Sequence, residues 1–149
     1  MRETEALSRT ALGVFRLNGQ FLAVSEQLAR PAGLTAAWWQ VLGAVLYEPL
    51  PVAGIARQMG ITRQSVQRVA DRLVAEGLAE YAPNPAHRTA KLVTPTAQGR
   101  AAVDRITPGH AKLAAQLAER LGEDELAETV RVLERLSEVM PSLETVSER

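Results

Sequence analysis

The sequence predicts a mainly α-helical chain with one small β-element, and three observations lead to this prediction. Apolar residues recur at three- and four-residue steps near both ends of the chain, which is the period of an amphipathic helix. Glycine and proline divide the chain into segments of helical length. Only after Gly77 does the pattern change to short runs that suit β-strands.

The composition limits the classes of protein to consider. The chain has 149 residues, of which 46% are hydrophobic, and its 17 basic side chains balance 17 acidic ones. This length fits one compact domain with helical extensions. No apolar run approaches the roughly 20 residues that span a bilayer, and the start of the chain does not resemble a signal peptide, so we expect a cytoplasmic protein without membrane contact. The absence of cysteine excludes disulfides and thiolate metal sites.

The first two helices follow from apolar spacing and from the residues that interrupt it. Residues 4–29 are predicted to form one long helix with the apolar stripe Leu7, Ala11, Val14, Leu17, Phe21, Val24 and Leu28. Pro31 and Gly33 end this helix. Thr35 can cap a second helix, which stops at about Tyr47 because prolines follow it at 49 and 51.

Residues 52–71 fit the requirements of a helix–turn–helix unit. Two helices that cross closely need a small residue at the crossing, and Ala56 is suitable. Gly60 tolerates the left-handed backbone of the turn. The second helix has a packed face of Ile61, Val66, Val69, Ala70 and Leu73. Its free face carries Arg63, Gln64, Gln67, Arg68 and Asp71, with Ser65 and Arg72 at the margins.

The free face suggests binding to DNA. Arginine and glutamine near the start of a helix can read guanine and adenine edges in the major groove. Thr62 is placed to cap this helix and to hold a phosphate, and Arg57 on the preceding helix can contact the DNA backbone. The alternative is an ordinary solvated surface helix. Context favours DNA, because two β-compatible runs, Leu78 to Tyr81 and Lys91 to Thr94, follow around the proline-rich loop PNPAHRT, as in a winged helix.

The C-terminal third is predicted to be helical. Thr94 or Thr96 caps a helix that reaches about Leu121, and Pro108 followed by glycine should bend or interrupt it. A last helix begins after Gly122 with three acidic residues, which suit a helix N-terminus. Its apolar residues are Leu126, Val130, Leu133, Leu136, Met140 and Leu143.

Charge is distributed unevenly along the chain. Residues 34–100 carry seven basic and four acidic side chains, whereas residues 101–149 carry six basic and ten acidic ones. We therefore predict a DNA-binding lobe at 34–100 between an N-terminal dimerisation helix at 1–33 and C-terminal dimerisation helices at 101–149. Long apolar stripes without a core of their own would be buried against a second copy, most simply in a two-fold dimer. Packing back on the same lobe is the alternative.

Three segments resemble the MarR family of bacterial winged-helix transcription regulators. They are LTAAWWQVL at 34–42, IARQMGITRQSVQRVADRLVAEGL at 55–78 and TAQGR at 96–100. The resemblance implies a homodimer whose two lobes reach successive major grooves, usually as a repressor that a small effector releases. It assigns the DNA-facing role to Arg63, Gln64, Ser65, Gln67 and Arg68.

The predicted wing departs from the family pattern. The positions of the family's Asp-x-Arg hold His87 and Thr89 here, with Arg88 between them as the candidate for the minor groove. Tyr81 stands where the family often has arginine. These departures and the neutral net charge support a second hypothesis, a winged-helix protein-interaction module that has lost DNA binding.

A ligand site and catalysis were also considered. In MarR-like proteins a cavity between the dimerisation helices and the lobe takes effectors, and Trp38, Trp39, Phe15 and Arg16 are candidates to line it for a small aromatic or anionic molecule. The alternative is that both tryptophans are only packing residues. The two histidines, His87 and one at 110, lack the spacing of metal ligands. We therefore predict that the protein binds no metal or cofactor and is not an enzyme.

Overall fold

The computed structural model describes residues 1–145, and it confirms a mainly helical chain with a small antiparallel sheet. The last four residues of the predicted C-terminal region, 146–149, lie outside the described residues. The helices are α1 (Glu3–Ala29), α2 (Ala36–Ala44), α3 (Val52–Met59), α4 (Arg63–Ala75), α5 (Ala97–Leu121) and α6 (Glu123–Val139). The strands are β1 (Leu50–Pro51), β2 (Ala79–Ala82) and β3 (Leu92–Pro95).

Helix α1 confirms the predicted long N-terminal helix, and it buries little of its apolar surface. Ala29 is its one buried residue, whereas Phe15 is 71% exposed and Leu7 is 64% exposed. The chain leaves the helix through a short 3-10 turn at Arg30–Ala32 and through Gly33, whose φ of 75° is left-handed. The apolar stripe of α1 therefore gains little free energy from burial within the described chain.

Helix α2 begins with two side-chain caps. The Thr35 hydroxyl accepts the backbone N–H of Trp38 (3.1 Å), as predicted, and the Glu26 carboxylate accepts the N–H of Ala36 (2.8 Å). The second bond joins α2 to α1 and places an anion at the positive end of the helix. Helix α2 buries Val41 and Leu42 in the core of the lobe. The largest fully buried side chains of this core are Leu42, Ile55, Leu73, Val41, Val45, Val66 and Val93.

The sheet has three strands, with β3 in the centre. β2 pairs with β3 from Ala79↔Pro95 to Ala82↔Leu92, and β1 pairs with the other edge of β3 through Leu50↔Val93. Sequence analysis did not find β1, because a two-residue strand that contains proline has no period to detect. The other two strands lie one residue later than predicted, since Leu78 N–H still bonds to Leu73 O (2.8 Å) and so closes α4.

Helix α5 starts where the predicted cap lies and ends at Leu121, as predicted. The Thr96 hydroxyl accepts the N–H of Gly99 (3.1 Å), which selects Thr96 over Thr94 as the cap. The predicted interruption at Pro108 does not occur, because α5 continues through this proline, whereas the alternative of a bend there stays a prediction. Proline removes one backbone hydrogen bond, but Asp104, whose carbonyl oxygen loses that partner, is exposed and can be hydrated.

The chain forms two compact units, with the boundary between Pro108 and Gly109 inside α5. The first unit holds the whole core described above. In the second, α6 has no buried residue along its 17 residues, and Leu133, Val130 and Met140 are about half exposed. The predicted division into parts at 1–33, 34–100 and 101–149 stays a prediction.

Candidate nucleic-acid interface

The helix–turn–helix unit is built by α3, a glycine turn and α4. Ala56 is buried at the crossing, and its carbonyl oxygen accepts the N–H groups of Gly60 (2.9 Å) and Ile61 (3.2 Å). Gly60 has a φ of 69°, a backbone conformation that glycine adopts without a steric cost. Val66 is fully buried, so α4 is held with one side against the core. Ile61 was assigned to that packed side, but it precedes the helix and is 43% exposed.

The opposite side of α4 presents a polar, cationic surface to solvent. Arg63, Gln64, Gln67 and Arg68 are all exposed, as the sequence analysis expected. In residues 1–145, neither arginine forms an ion pair. Arg72, one turn farther on, bonds instead to Glu76 (3.7 Å). Two unpaired guanidinium groups near the start of a projecting helix are available to an anionic or base-edge partner.

The start of α4 is fixed by Thr62 and Ser65. The Thr62 hydroxyl accepts the backbone N–H of Ser65 (3.1 Å) and donates to the Ser65 hydroxyl oxygen (2.9 Å). Its predicted role as the cap is confirmed, and both bonds draw the hydroxyl toward its own helix. The free N–H groups of the first turn remain the better phosphate donors.

A cleft of about 580 Å³ separates α4 from the wing, which we define as residues 79–95. Arg63 and Lys91 contribute positive charge from opposite sides, and no acidic residue lines this cleft. Its other lining residues are Pro51, Val52, Ala53, Gln64, Gln67, Tyr81, Thr89 and Ala90. Sequence analysis missed Lys91, although its place directly before β3 was a usable signal.

The tip of the wing carries Arg88 on an ordered turn. The Asn84 carboxamide oxygen accepts the N–H of Ala86 (3.0 Å), and the Asn84 backbone oxygen accepts the N–H of His87 (3.2 Å). Such a local turn limits the number of conformations that the loop can adopt. Arg88 is exposed and lines a second cleft next to Lys91, so the wing presents two cations close together. Arg57 is exposed at the end of α3, in a separate cleft with Tyr47 and Glu48.

Tyr81 connects the wing to α4 through a hydrogen-bonded triad. Its hydroxyl donates to the Asp71 carboxylate, and the Gln67 amide nitrogen lies 2.9 Å from both the Asp71 oxygen and the Tyr81 oxygen. The hydrogen bonds from Tyr81 and then Gln67 lower the pKa of Asp71. Burial, followed by the bond to Asp71, raises the pKa of Tyr81 to about 12. Near neutral pH the carboxyl is therefore ionised and the phenol protonated.

The four predicted effector residues do not line the cleft found between α1, α2 and α3. Trp38 and Trp39 are half-buried and pack against the core. Phe15 and Arg16 are exposed on α1. The cleft has a volume of about 420 Å³ and is lined by Asn18, Leu22, Gln40, Gly43, Ala44, Gln58, Met59 and Ile61. An effector site at the predicted residues stays a prediction.

Across residues 1–145, histidine, aspartate and glutamate form no group of three or more that could hold a metal ion. No helix in that range has the length and apolar character required to cross a bilayer.

A helix–turn–helix with an exposed cationic helix, followed by a two-stranded wing that belongs to a three-stranded sheet, defines a winged-helix protein. The MarR family model matches residues 32–88, and the chain belongs to this family. Its family and fold are those of transcription regulators.

Similar proteins include one sequence relative and two solved structures. The uncharacterized protein Rv2011c of Mycobacterium tuberculosis is 42% identical over 104 residues, which cover 70% of this chain and 73% of that protein. BpsR of Bordetella bronchiseptica, whose DNA binding is regulated by 6-hydroxynicotinic acid, is 26% identical with a TM-score of 0.74, covering 87% and 98% of the two chains. A MarR mutant from E. coli complexed with operator DNA is 21% identical with a TM-score of 0.75, covering 91% and 99%.

Proposed function

We propose that this protein is a sequence-specific DNA-binding transcription regulator that places α4 in the major groove. The observation that carries the proposal is the exposed side of α4, where Arg63 and Arg68 have no acidic partner in the described chain. Arginine contacts guanine edges through two parallel hydrogen bonds, and the neighbouring glutamines suit adenine. Thr62, Ser65 and the first-turn N–H groups would contact phosphate, as would Arg57. A transcription regulator of this kind would act in the bacterial cytoplasm.

The wing supplies the second part of the proposed interface. Arg88 and Lys91 lie on the same side of the wing, and Lys91 shares a cleft with Arg63. Cations on both the helix and the wing would follow the DNA backbone on either side of the groove. Arg88 is the candidate for the minor groove, where a narrow groove attracts arginine.

The proposed active form is a homodimer. Helix α6 buries none of its residues, and α1 leaves Leu7 and Phe15 mostly exposed. In proteins most of the stability of a helix comes from packing of its apolar face against other elements. A second copy would cover these faces in a two-fold arrangement, and the resulting operators would be pseudo-palindromic with half-sites about 10 bp apart. Size-exclusion chromatography with light scattering is expected to give twice the mass of the 16.1 kDa chain.

The regulator is further proposed to be a repressor that responds to a small aromatic or anionic effector. BpsR, with a similar fold, has its DNA binding regulated by an aromatic acid. The candidate residues are Trp38, Trp39, Phe15 and Arg16, and the cleft beside Asn18 and Gln40 is a second place to look. Thermal-shift measurements with aromatic acids should find a compound that raises the unfolding temperature and weakens DNA binding. An effector role fails if no compound does both.

DNA binding is tested by fluorescence anisotropy with the DNA that flanks the protein's own gene. Arg63→Ala and Arg68→Ala should each weaken binding by about 1–3 kcal/mol if the side chain reads a base. Arg131→Ala is the matched control, because this arginine lies on α6 and already bonds to Glu128 (2.6 Å). Equal affinity of wild type and both lobe variants would contradict the assignment of α4. No binding to any DNA would favour the protein-interaction module instead.

A further inference from the structure

Gln67, Asp71 and Tyr81 form a triad beside the proposed DNA-reading surface, and sequence analysis gave it no function. Gln67 and Asp71 are one helical turn apart on the exposed side of α4, and Tyr81 reaches them from β2. Each member of the triad contacts the other two. Tyr81 stands at the position where sequence analysis noted a departure from the family's arginine, so this chain has a different use for that position.

The chemistry of the triad fixes which way the Gln67 amide faces. An ionised carboxylate only accepts hydrogen bonds, so the Gln67 atom facing Asp71 must be the amide nitrogen. The Tyr81 hydroxyl gives its hydrogen to Asp71 and accepts from the same nitrogen with its oxygen. The reversed amide would direct its carbonyl oxygen at the carboxylate, which repels it. One orientation of the amide is therefore selected.

This orientation leaves the Gln67 carbonyl oxygen as the outward atom. Within residues 1–145 that oxygen has no hydrogen-bond partner, and Gln67 is exposed at the cleft that also contains Arg63. An unrestrained glutamine can rotate its amide by half a turn and offer either a donor or an acceptor to a base. Gln67 offers an acceptor at a fixed position.

We propose that Asp71 and Tyr81 are positioning residues that make Gln67 select a base with an exocyclic amino group. In the major groove adenine presents N6–H₂ and cytosine presents N4–H₂, whereas guanine and thymine present only acceptors, plus the thymine methyl group. The carbonyl oxygen of Gln67 therefore accepts from adenine or cytosine at one position of each half-site. This inference rests on the proposed function, since it assumes that α4 reads DNA.

The experiment selects bound DNA from a random pool and sequences it, using wild type and the variants Gln67→Ala, Asp71→Ala and Tyr81→Phe. Wild type should favour adenine or cytosine at one half-site position by about 2- to 10-fold, the range of one neutral hydrogen bond. Gln67→Ala should lose the preference at that position alone. Asp71→Ala should keep binding DNA but admit guanine or thymine there, because the freed amide can turn. Tyr81→Phe leaves the Asp71 carboxylate bonded to the Gln67 nitrogen, so it should weaken the preference less than Asp71→Ala does.

Tyr47→Phe is the matched control, because it also removes one phenol hydroxyl. Tyr47 is 98% exposed and lies outside the triad, so this variant should leave the base preferences unchanged. Asp71 is itself exposed, and Tyr81→Phe keeps its ring, so these variants should unfold at temperatures close to wild type. Melting curves monitored by circular dichroism verify this for each variant.

The outcomes separate the inference from the proposed function. If wild type binds no DNA, the proposed function fails and this inference fails with it. If wild type binds but the Gln67-dependent position favours guanine or thymine, the inference alone is overturned. It is also overturned if Gln67→Ala changes no position, or if folded Asp71→Ala keeps the wild-type preference.

Discussion

Substituting alanine for Gly99 should destabilise the protein, although alanine favours helices. Gly99 is buried in the first turn of α5, where the helix passes the backbone at Leu78. A Cβ atom built on Gly99 would lie 2.0 Å from the Leu78 carbonyl oxygen and 3.4 Å from a Leu42 methyl carbon. Real Cβ contacts are essentially never below 3.0 Å, so α5 and the chain at Leu78 must separate by about 1 Å.

The expected loss follows from three contributions. Overpacking of this kind typically costs about 1–3 kcal/mol. The separation also strains the hydrogen bond from Thr96 N–H to the same Leu78 oxygen (3.1 Å), which contributes about 0.5–1.5 kcal/mol. The higher helix propensity of alanine relative to glycine offsets roughly 1 kcal/mol of this loss. The free energy of unfolding should therefore fall by about 1–3 kcal/mol for Gly99→Ala.

Denaturant unfolding at one fixed protein concentration measures this change, with circular dichroism as the signal. Gly43→Ala is the matched control, because Gly43 lies in α2 and a Cβ there would meet no atom within 4 Å. The free energy of unfolding of that variant should rise by about 0.5–1 kcal/mol. The reasoning is refuted if Gly99→Ala is as stable as wild type, or if both variants change stability in the same direction.

Three further predictions concern the cap of α4, the triad and the wing. Thr62→Ala should lower the free energy of unfolding by about 1 kcal/mol, because alanine has no hydroxyl to accept the Ser65 N–H. Thr62→Ser keeps this hydroxyl, so its free energy of unfolding should stay close to that of wild type. In the Tyr47→Phe protein, absorbance titration should give Tyr81, the remaining tyrosine, a pKa of about 12, which falls when Asp71→Asn is added; an ordinary value near 10 would contradict the triad. Because folding raises this pKa, the stabilisation it provides is complete below pH 10 and is lost as the pH rises through 12. Arg88→Ala should reduce the salt dependence of DNA affinity by a slope of about 1 without changing base preference, and an unchanged slope would remove Arg88 from the interface.

The helices, their caps and the turn could be predicted from the sequence, because these depend on neighbours a few residues apart. Apolar spacing located α1 and α4, and Thr35, Thr62 and Gly60 each act as predicted. A chemical preference that is expressed within one turn of chain can be read from the chain alone. The exposed side of α4 followed in the same way, since its apolar residues identify the side that must be buried.

Contacts between residues far apart in the sequence depend on how the elements pack together. Strand β1 exists because β3 lies beside it, and neither its length nor its composition indicates a strand. Lys91 became part of the candidate interface, and Tyr81 a partner of Gln67, because pairing of β2 with β3 brings the wing next to α4. Such contacts join residues 10 or more positions apart, and local propensity carries no information about them. The orientation of the Gln67 amide depends on one of these contacts, so sequence could name the residue but not the atom that it presents.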